Sequence, residues 1–378
     1  MSSPNQPSPL IEVRDLRVRF ELESGPFEVI DNVSFTLNRE EVLCVVGESG
    51  SGKTVMMHTL LGLVDTKPGV VQGHIITHFG GETVDLLEGL DRYVKVGQRE
   101  GRPYYEKKAG WNRLYAQRTT RMLGRNLGLI FQNPKNALDP LMTVGHQIME
   151  SVRTVDPALA REALREQAIS WLKRVQINHA ERVFSLYPHQ LSGGMCQRVA
   201  IAQILALRPE VLIADEPTTG LDATIQASIL DLIKDVQREF KLSVMLITHD
   251  FSVVEKLADR VLVLFRGRLL ELGEADNILL PRARLHPYTA TLLRNVRVLE
   301  GSGSAEQIEA VGREAQRPRL SRASAAKGCN YVTLCPLIHA AGDAVSAQCE
   351  AEVPELKSIG PHHHVRCHLA HDLKPEAV

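Results

Sequence analysis

VLCVVGESGSGKT, residues 42–54, decides how the rest of the chain is read. Five apolar residues of strand length run into a six-residue turn holding three glycines, and then into Lys53 and Thr54. An uninterrupted apolar run of this length suits a strand buried on both faces, as in a parallel sheet. Gly47-Glu48-Ser49-Gly50-Ser51-Gly52-Lys53-Thr54 fits the pattern G-x-x-x-x-G-K-[ST]. Glycines let the backbone wrap tightly, so that successive N–H groups point at phosphate oxygens. The helix that follows adds its positive end. The spacing puts Lys53 on the β- and γ-phosphates of a nucleotide and the Thr54 hydroxyl on Mg²⁺.

Bulk composition narrows the class. The 378 residues exceed the roughly 100–200 of one ordinary domain. Hydrophobic residues make up 44%, enough for a large core, and the net charge of −1 lacks the basic excess of a dedicated nucleic-acid binder. No apolar run approaches the roughly 20 residues that span a bilayer. The N-terminus, MSSPNQPSP, is polar and Pro-rich, with no apolar signal segment. A cytoplasmic chain that reaches a membrane only by docking to a partner is expected.

Residues 1–9 read as a flexible tail. From 10 to about 45 β-branched residues alternate with polar ones, the pattern of antiparallel strands. Residues 88–121 are basic and aromatic, with Tyr93, Tyr104, Tyr105, Trp111 and Tyr115 among Lys and Arg. They read as an inserted surface segment: in the plainest case a solvated hairpin or helical arm, otherwise a surface for a partner, acidic lipid or nucleic acid. Helical periodicity runs from about 140 to 208, and the strand runs VLIAD, SVMLIT and RVLVLF follow. Residues 297–327, rich in Ser, Ala, Gly, Arg and Glu, read as a linker. No internal repeat is present, so one nucleotide-type domain is expected.

Asp215 and Glu216 close the strand VLIAD at its carboxyl end, the edge where parallel sheets bind ligands. Asp215 is expected to support Mg²⁺, and Glu216 to orient or deprotonate an attacking water. The plainer alternative is a strand-to-helix junction with capping acids.

LSGGMCQR, residues 191–198, goes further. At the start of a helix, Ser192, Gly193 and Gly194 offer a hydroxyl and free N–H groups to an anion. The octapeptide resembles the signature motif of ABC transporter ATPases, which in that family reaches across a dimer to the γ-phosphate held by the other subunit. Other pieces fall in family order. Gln132, in FQNPKNALDP, matches the Q-loop, which contacts Mg²⁺ and couples to the membrane domains. Thr219-Gly220-Leu221-Asp222 matches the D-loop, with Asp222 toward the partner subunit. His249, in LITHD, matches the switch histidine at the γ-phosphate. The resemblance covers residues 10–270. It implies an α/β P-loop NTPase fold with a RecA-like core, an antiparallel β-subdomain and a helical subdomain over about 133–205. It implies ATP and Mg²⁺ as ligands and Glu216, His249 and Gln132 as catalytic groups. An adenine-stacking aromatic is expected near residues 20–27, where Phe20 and Phe27 both stand as candidates.

GESGSGKT, LSGGMCQR with Met195, FQNPKNALDPLMTVG and HPYT at 286–289 resemble the ATPase subunits of dipeptide, oligopeptide and nickel importers. Residues 271–378 are then a small C-terminal extension. Its Cys329-Asn-Tyr-Val-Thr-Leu-Cys335, the CEAEVPEL around Cys349 and the HHVRCHL around Cys367 resemble the tail that in some members carries a [4Fe–4S] cluster. Four of the six cysteines fall there. Four thiolates suit such a cluster, and a reducing compartment disfavours disulfides. Zn²⁺, free thiols and a small apolar core using Cys remain open. The gap between Cys335 and Cys349 is about twice the family's. Cys44 reads as core, Cys196 as reactive if exposed, and His362–His364 as a solvated loop. The resemblance implies a second ATPase subunit, usually a different chain, with two membrane permease subunits and an extracytoplasmic solute-binding protein. It also implies a peripheral position on the cytoplasmic face of the inner membrane, with no nucleic acid. Two rivals are a soluble ABC ATPase of DNA repair or translation, which commonly has two ATPase halves or a coiled-coil insertion, and an ATP-holding regulatory module. One half without heptads argues against the first, and Glu216 with His249 against the second.

Overall fold

The computed structural model describes residues 8–23, 25–64, 68–99, 102–108, 110–280, 283–299, 327–338 and 342–375. Most of the expected tail (1–7) and of the expected linker (300–326) lies outside them.

In chain order, β1 (Pro9–Leu22) and β2 (Gly25–Asn38) form a hairpin. β3 (Val42–Val46) feeds the glycine-rich loop, and α1 (Lys53–Leu60) leaves it. β4 (Pro68–Phe79) and β5 (Glu82–Asp85) follow, then β6 (Val94–Arg99), β7 (Arg102–Lys107) and α2 (Trp111–Thr120). β8 (Leu127–Ile130) opens into a helical stretch of α3 (Pro134–Ala137), α4 (Val144–Val155), α5 (Arg161–Arg174), α6 (Ala180–Val183) and α7 (Gly193–Leu205). Then come β9 (Val211–Asp215), α8 (Ala223–Phe240), β10 (Ser243–Thr248), α9 (Phe251–Leu257), β11 (Arg260–Phe265), β12 (Arg268–Glu274), α10 (Ala275–Leu279) and α11 (Pro287–Leu299). The C-terminal part adds α12 (Asp343–Ala351), β13 (Leu356–Gly360) and β14 (His363–Arg366).

The central sheet has the order β13-β14-β12-β11-β3-β10-β9-β8. The five strands from β8 to β11 are parallel, and β12, β14 and β13 continue antiparallel. Alternation along each parallel strand divides the interior in two. On β3, Val42, Cys44 and Val46 face the helical layer, whereas Leu43 and Val45 face the other side. Leu212 and Ala214 against Val211 and Ile213 repeat this on β9, as do Val244 and Leu246 against Met245 and Ile247 on β10. A strand apolar on both faces forms because both faces are covered. The helical side takes α4 through its Val144, Ile148 and Val152 stripe and α5 through Leu164, Ala168 and Leu172, each at four-residue spacing. The other side takes α1 and the antiparallel sheet β2-β1-β4-β5.

Two expectations are corrected. The 88–121 segment is not a purely solvated arm: β6 and β7 form a hairpin, but α2 packs into the core. Trp111 and Tyr115 are each only 3% exposed, and the Tyr115 hydroxyl donates to the Thr59 carbonyl on α1. Two large rings on one helical turn remove too much apolar surface from water to stay outside. His362–His364 is not a solvated loop either. His363 and His364 lie on β14, which pairs with β12 and so extends the central sheet. His363 is buried, its Nε2 2.7 Å from Oε1 of the fully buried Glu271.

Candidate nucleotide site

The glycine-rich loop leaves β3 at the carboxyl edge of the parallel strands, between β10 and β11. Its course depends on glycine at Gly52, where φ is +108° and a Cβ would sit 2.9 Å from the Val29 carbonyl oxygen. Lys53 is buried, and its ammonium donates to the Gly47 oxygen at 2.6 Å and the Glu48 oxygen at 3.0 Å. Burial lowers its pKa, and the nearby Glu216 and Asp215 work against that. A desolvated cation held on two carbonyls at the loop's centre is poised for a phosphate.

Asp215 ends β9 with its carboxylate against the Thr54 hydroxyl at the first turn of α1. Burial, with Glu216 next, raises its pKa. This oxygen pair is the hard donor chemistry that Mg²⁺ takes, with water and phosphate supplying the rest.

Glu216 follows with φ +45°, a left-handed conformation rare for a side-chain-bearing residue. Three groups meet its carboxylate, Thr219 from three residues on and Gln132 and His249 from distant parts of the chain. The Gln132 amide donates to Oε2 at 3.0 Å, the Thr219 hydroxyl donates to Oε2 at 3.0 Å, and His249 Nδ1 lies 2.9 Å from Oε1. Burial pushes its pKa up, yet the bonds from His249 and Thr219 prevail and leave it below the usual carboxylate range. The group is therefore ionised across physiological pH.

The signature residues lie elsewhere. Ser192 caps α7, accepting from the Met195 N–H at 3.3 Å, and is exposed. A Cβ on Gly193 would touch Leu221, and one on Gly194 would lie 2.6 Å from Ile225. The motif is thus seated against the loop holding Asp222, not against this chain's phosphate loop. Asp222 caps α8 by accepting from the Ile225 N–H at 3.0 Å. Phe20 and Phe27 are half-buried and pair across β1 and β2, so the structure does not separate the two candidates. Cys196 is wholly buried, which removes the expectation of a reactive thiol.

In the C-terminal part, Cys329, Cys335, Cys349 and Cys367 line one small cleft with His286, Tyr331 and His368. The expected metal centre is not shown: among the described residues no three Cys, His, Asp or Glu side chains converge on one metal-ion position. Burial raises all four thiols, Cys349 to about 11 and Cys367 to about 12. Main-chain N–H groups nonetheless face three of the sulfurs: those of Tyr331 and Val332 at Cys329, Leu337 and Ile338 at Cys335, and Leu369 at Cys367.

Sequence reading missed Tyr288. Its hydroxyl accepts from the Glu48 N–H at 2.9 Å, so a residue 240 positions away holds the phosphate loop. The HPYT motif was the available signal, but nothing in it points to that contact.

Residues 30–219 match the ABC transporter family. The chain is 36% identical over 361 residues to the dipeptide transport ATP-binding protein DppD of Haemophilus influenzae, covering 95% of each. It is 39% identical to the oligopeptide transport ATP-binding protein OppD of Bacillus subtilis, over 79% of this chain and 74% of that one. The ATP-binding cassette MJ0796, solved as a dimer in a post-hydrolysis state with ADP and phosphate, shares the fold with a TM-score of 0.55 at 22% identity, over 70% of this chain and 98% of that one. No helix among the described residues is long and apolar enough to cross a membrane. The chain belongs to the ABC transporter family as an ATP-hydrolysing, ATP-binding subunit of the peptide importer branch.

Proposed function

We propose that this chain powers uptake of peptides through a membrane importer, hydrolysing ATP held between two nucleotide-binding subunits. The observation that carries this is the convergence of Gln132, Thr219 and His249 on the Glu216 carboxylate, beside Lys53, Thr54 and Asp215. In this reading the N–H groups of residues 47–54 and the Lys53 ammonium take the β- and γ-phosphates. Thr54 and Asp215, with Gln132 alongside, would hold Mg²⁺, which would supply neutralisation of charge on the phosphates. Glu216 orients the attacking water and accepts its proton, and His249 hydrogen-bonds the γ-phosphate. Ser192, Gly193 and Gly194, with Asp222, serve the partner's nucleotide. The exposure of Ser192 and Asp222, and the packing of Gly193 and Gly194 against Leu221 and Ile225, support a site completed only by two subunits.

Residues 10–270 form the ATPase unit in this reading and 271–378 the extension. The partners are a second, different ATPase chain, two permease subunits and an extracytoplasmic solute-binding protein, with this chain on the cytoplasmic face of the inner membrane. Phe131, next to Gln132 in the chain, and Leu141, further along the same segment, are 47% and 85% exposed. Apolar side chains left in water on the segment that carries Gln132, whose amide bonds the Glu216 carboxylate, suit a permease contact that registers nucleotide state.

The four C-terminal cysteines are proposed to hold a [4Fe–4S] cluster. Support comes from their common cleft and from the N–H groups at three sulfurs, which favour thiolate. A multi-atom cluster, unlike Zn²⁺, does not need its ligands to converge on one ion. Anaerobically purified protein should contain about four irons and four sulfides per chain, lost in Cys329→Ser; stoichiometric zinc, or no metal, overturns this part.

The function is tested in proteoliposomes carrying the permease pair and both ATPase chains. ATP-driven uptake of a labelled dipeptide that stops in Glu216→Gln supports the reading. Uptake indifferent to Glu216→Gln, or no dipeptide uptake by a complex that hydrolyses ATP, overturns it.

A further inference from the structure

The HPYT motif, residues 286–289, lies outside the machinery described above but is built against it. His286 is fully buried, and its backbone N–H donates to the Glu271 Oε2 at 3.1 Å. Burial pushes its imidazole pKa down to about 3, so the ring is neutral. The neutral ring accepts the Tyr288 N–H at Nδ1 (3.0 Å), capping the start of α11, where Pro287 supplies the helical φ and needs no donor. This fixes Tyr288, which is 1% exposed. Its ring packs on Phe265 (centroids 4.6 Å apart) and on Tyr331 (5.4 Å), and its hydroxyl accepts from the Glu48 N–H.

The phosphate loop is held at a second point. Gly267, in the turn between β11 and β12, donates its N–H to the Ser51 carbonyl at 2.8 Å. The same turn is gripped by the cysteine-bearing segment. Arg268 Nη1 donates to the Gly328 carbonyl at 3.1 Å and to Asn330 Oδ1 at 2.8 Å, and Asn330 Nδ2 donates to the Arg266 carbonyl at 3.2 Å. Residues 328–331 therefore bear on both supports of the loop: on Glu48 through Tyr331 and Tyr288, and on Ser51 through the 266–268 turn.

A phosphate loop binds well because its N–H groups are already aimed, so that little ordering is left to be done on binding. We propose that Tyr288 is a positioning residue of the phosphate loop, and that segment 328–331 sets the chain's affinity for ATP through Tyr288 and through the 266–268 turn. This rests on the reading of residues 47–54 as the nucleotide site. The turn carrying Cys329 thereby gains a route to the ATP site across packed rings and hydrogen bonds.

Tyr288→Phe removes one hydroxyl and keeps the ring. Losing one hydrogen bond to an otherwise solvent-reachable N–H should weaken ATP binding about fivefold. On the purified full chain, ATP titration should show that loss while the melting temperature stays within a few degrees. In the assembled importer KM for ATP should rise, with kcat changed less than twofold. Tyr331→Leu should weaken ATP binding in the wild-type background and not in the Tyr288→Phe background, as a double-mutant cycle on one path requires. Asn330→Ala takes its place in the second support if Tyr331→Leu does not fold, and should weaken binding in both backgrounds. Wild-type ATP affinity in Tyr288→Phe overturns the positioning role. Additive effects of Tyr288→Phe and Tyr331→Leu, or no effect of Asn330→Ala where that variant is used, overturn control by segment 328–331. Lys53→Ala, run alongside, separates the two readings: if it binds ATP like wild type, the nucleotide site itself is misassigned, whereas its loss of binding beside an unaffected Tyr288→Phe refutes only the proposal.

Discussion

Replacing Glu216 by Gln is nearly isosteric, and the structure shows what survives it. Oε2 accepts from both Gln132 and Thr219, so the amide oxygen keeps that side. The amide nitrogen then faces His249, whose Nδ1 lies 2.9 Å from Oε1 and accepts in the neutral tautomer with the proton on Nε2. The His249 side chain is 61% exposed, so losing its charge-assisted bond costs little stability. Folding and ATP binding should persist. What disappears is a carboxylate held ionised, and removing a positioned base lowers turnover by about 10²- to 10⁴-fold. The assay is phosphate release at saturating ATP and Mg²⁺, with ATP binding titrated in parallel. Turnover within threefold of wild type would refute the assignment of Glu216 as base, and lost binding would refute the account of its neighbours.

Because the Glu216 pKa is lowered, by the bonds from His249 and Thr219 against burial, a Glu216 base would stay deprotonated as pH falls, and the acid limb of the ATPase pH profile should lie below the ordinary carboxylate range; a limb in the histidine range speaks against Glu216. Glu271→Ala leaves buried His363 and the His286 N–H without their acceptor and should destabilise the chain by about 3 kcal/mol or more, read as a denaturation midpoint. Gly267→Ala forces a Cβ to 2.4 Å from the Val29 carbonyl at φ +79°, costing about 1–3 kcal/mol; the turn must shift to relieve it, and the loosened bond from the residue-267 N–H to Ser51 should also weaken ATP binding. Leu141→Glu puts charge on an 85% exposed apolar side chain and should reduce co-purification with the permease subunits while leaving the melting temperature unchanged.

The parts of this site that could be read from the sequence are those that short local patterns impose. A strand that ends in glycines, lysine and threonine presents its phosphate loop wherever it occurs, and Asp215 and Glu216 lie at a strand's carboxyl end because the apolar run stops there. Gln132 and His249 lie 84 and 33 residues from Glu216, and only their order relative to the other motifs singled them out. Contacts made by tertiary packing left no such mark. His363 sits in a triple-histidine stretch that looks solvated, and only the pairing of β14 with β12 brings it to Glu271. Trp111 and Tyr115 are embedded among Arg and Lys, so the average polarity of the segment hid a helix with one buried edge. Tyr288 reaches Glu48 across 240 residues, and neither residue's neighbours predict the other. Phe20 and Phe27 stay unseparated because cross-strand pairing gives them near-equal environments.

The central claim is that residues 47–54 bind the nucleotide that this chain hydrolyses. Phosphate release by the assembled importer at saturating ATP and Mg²⁺, compared between the wild-type chain and Lys53→Ala, tests it most directly. The account predicts that Lys53→Ala removes this chain's ATP binding and its share of phosphate release. Wild-type binding and turnover in Lys53→Ala would contradict it.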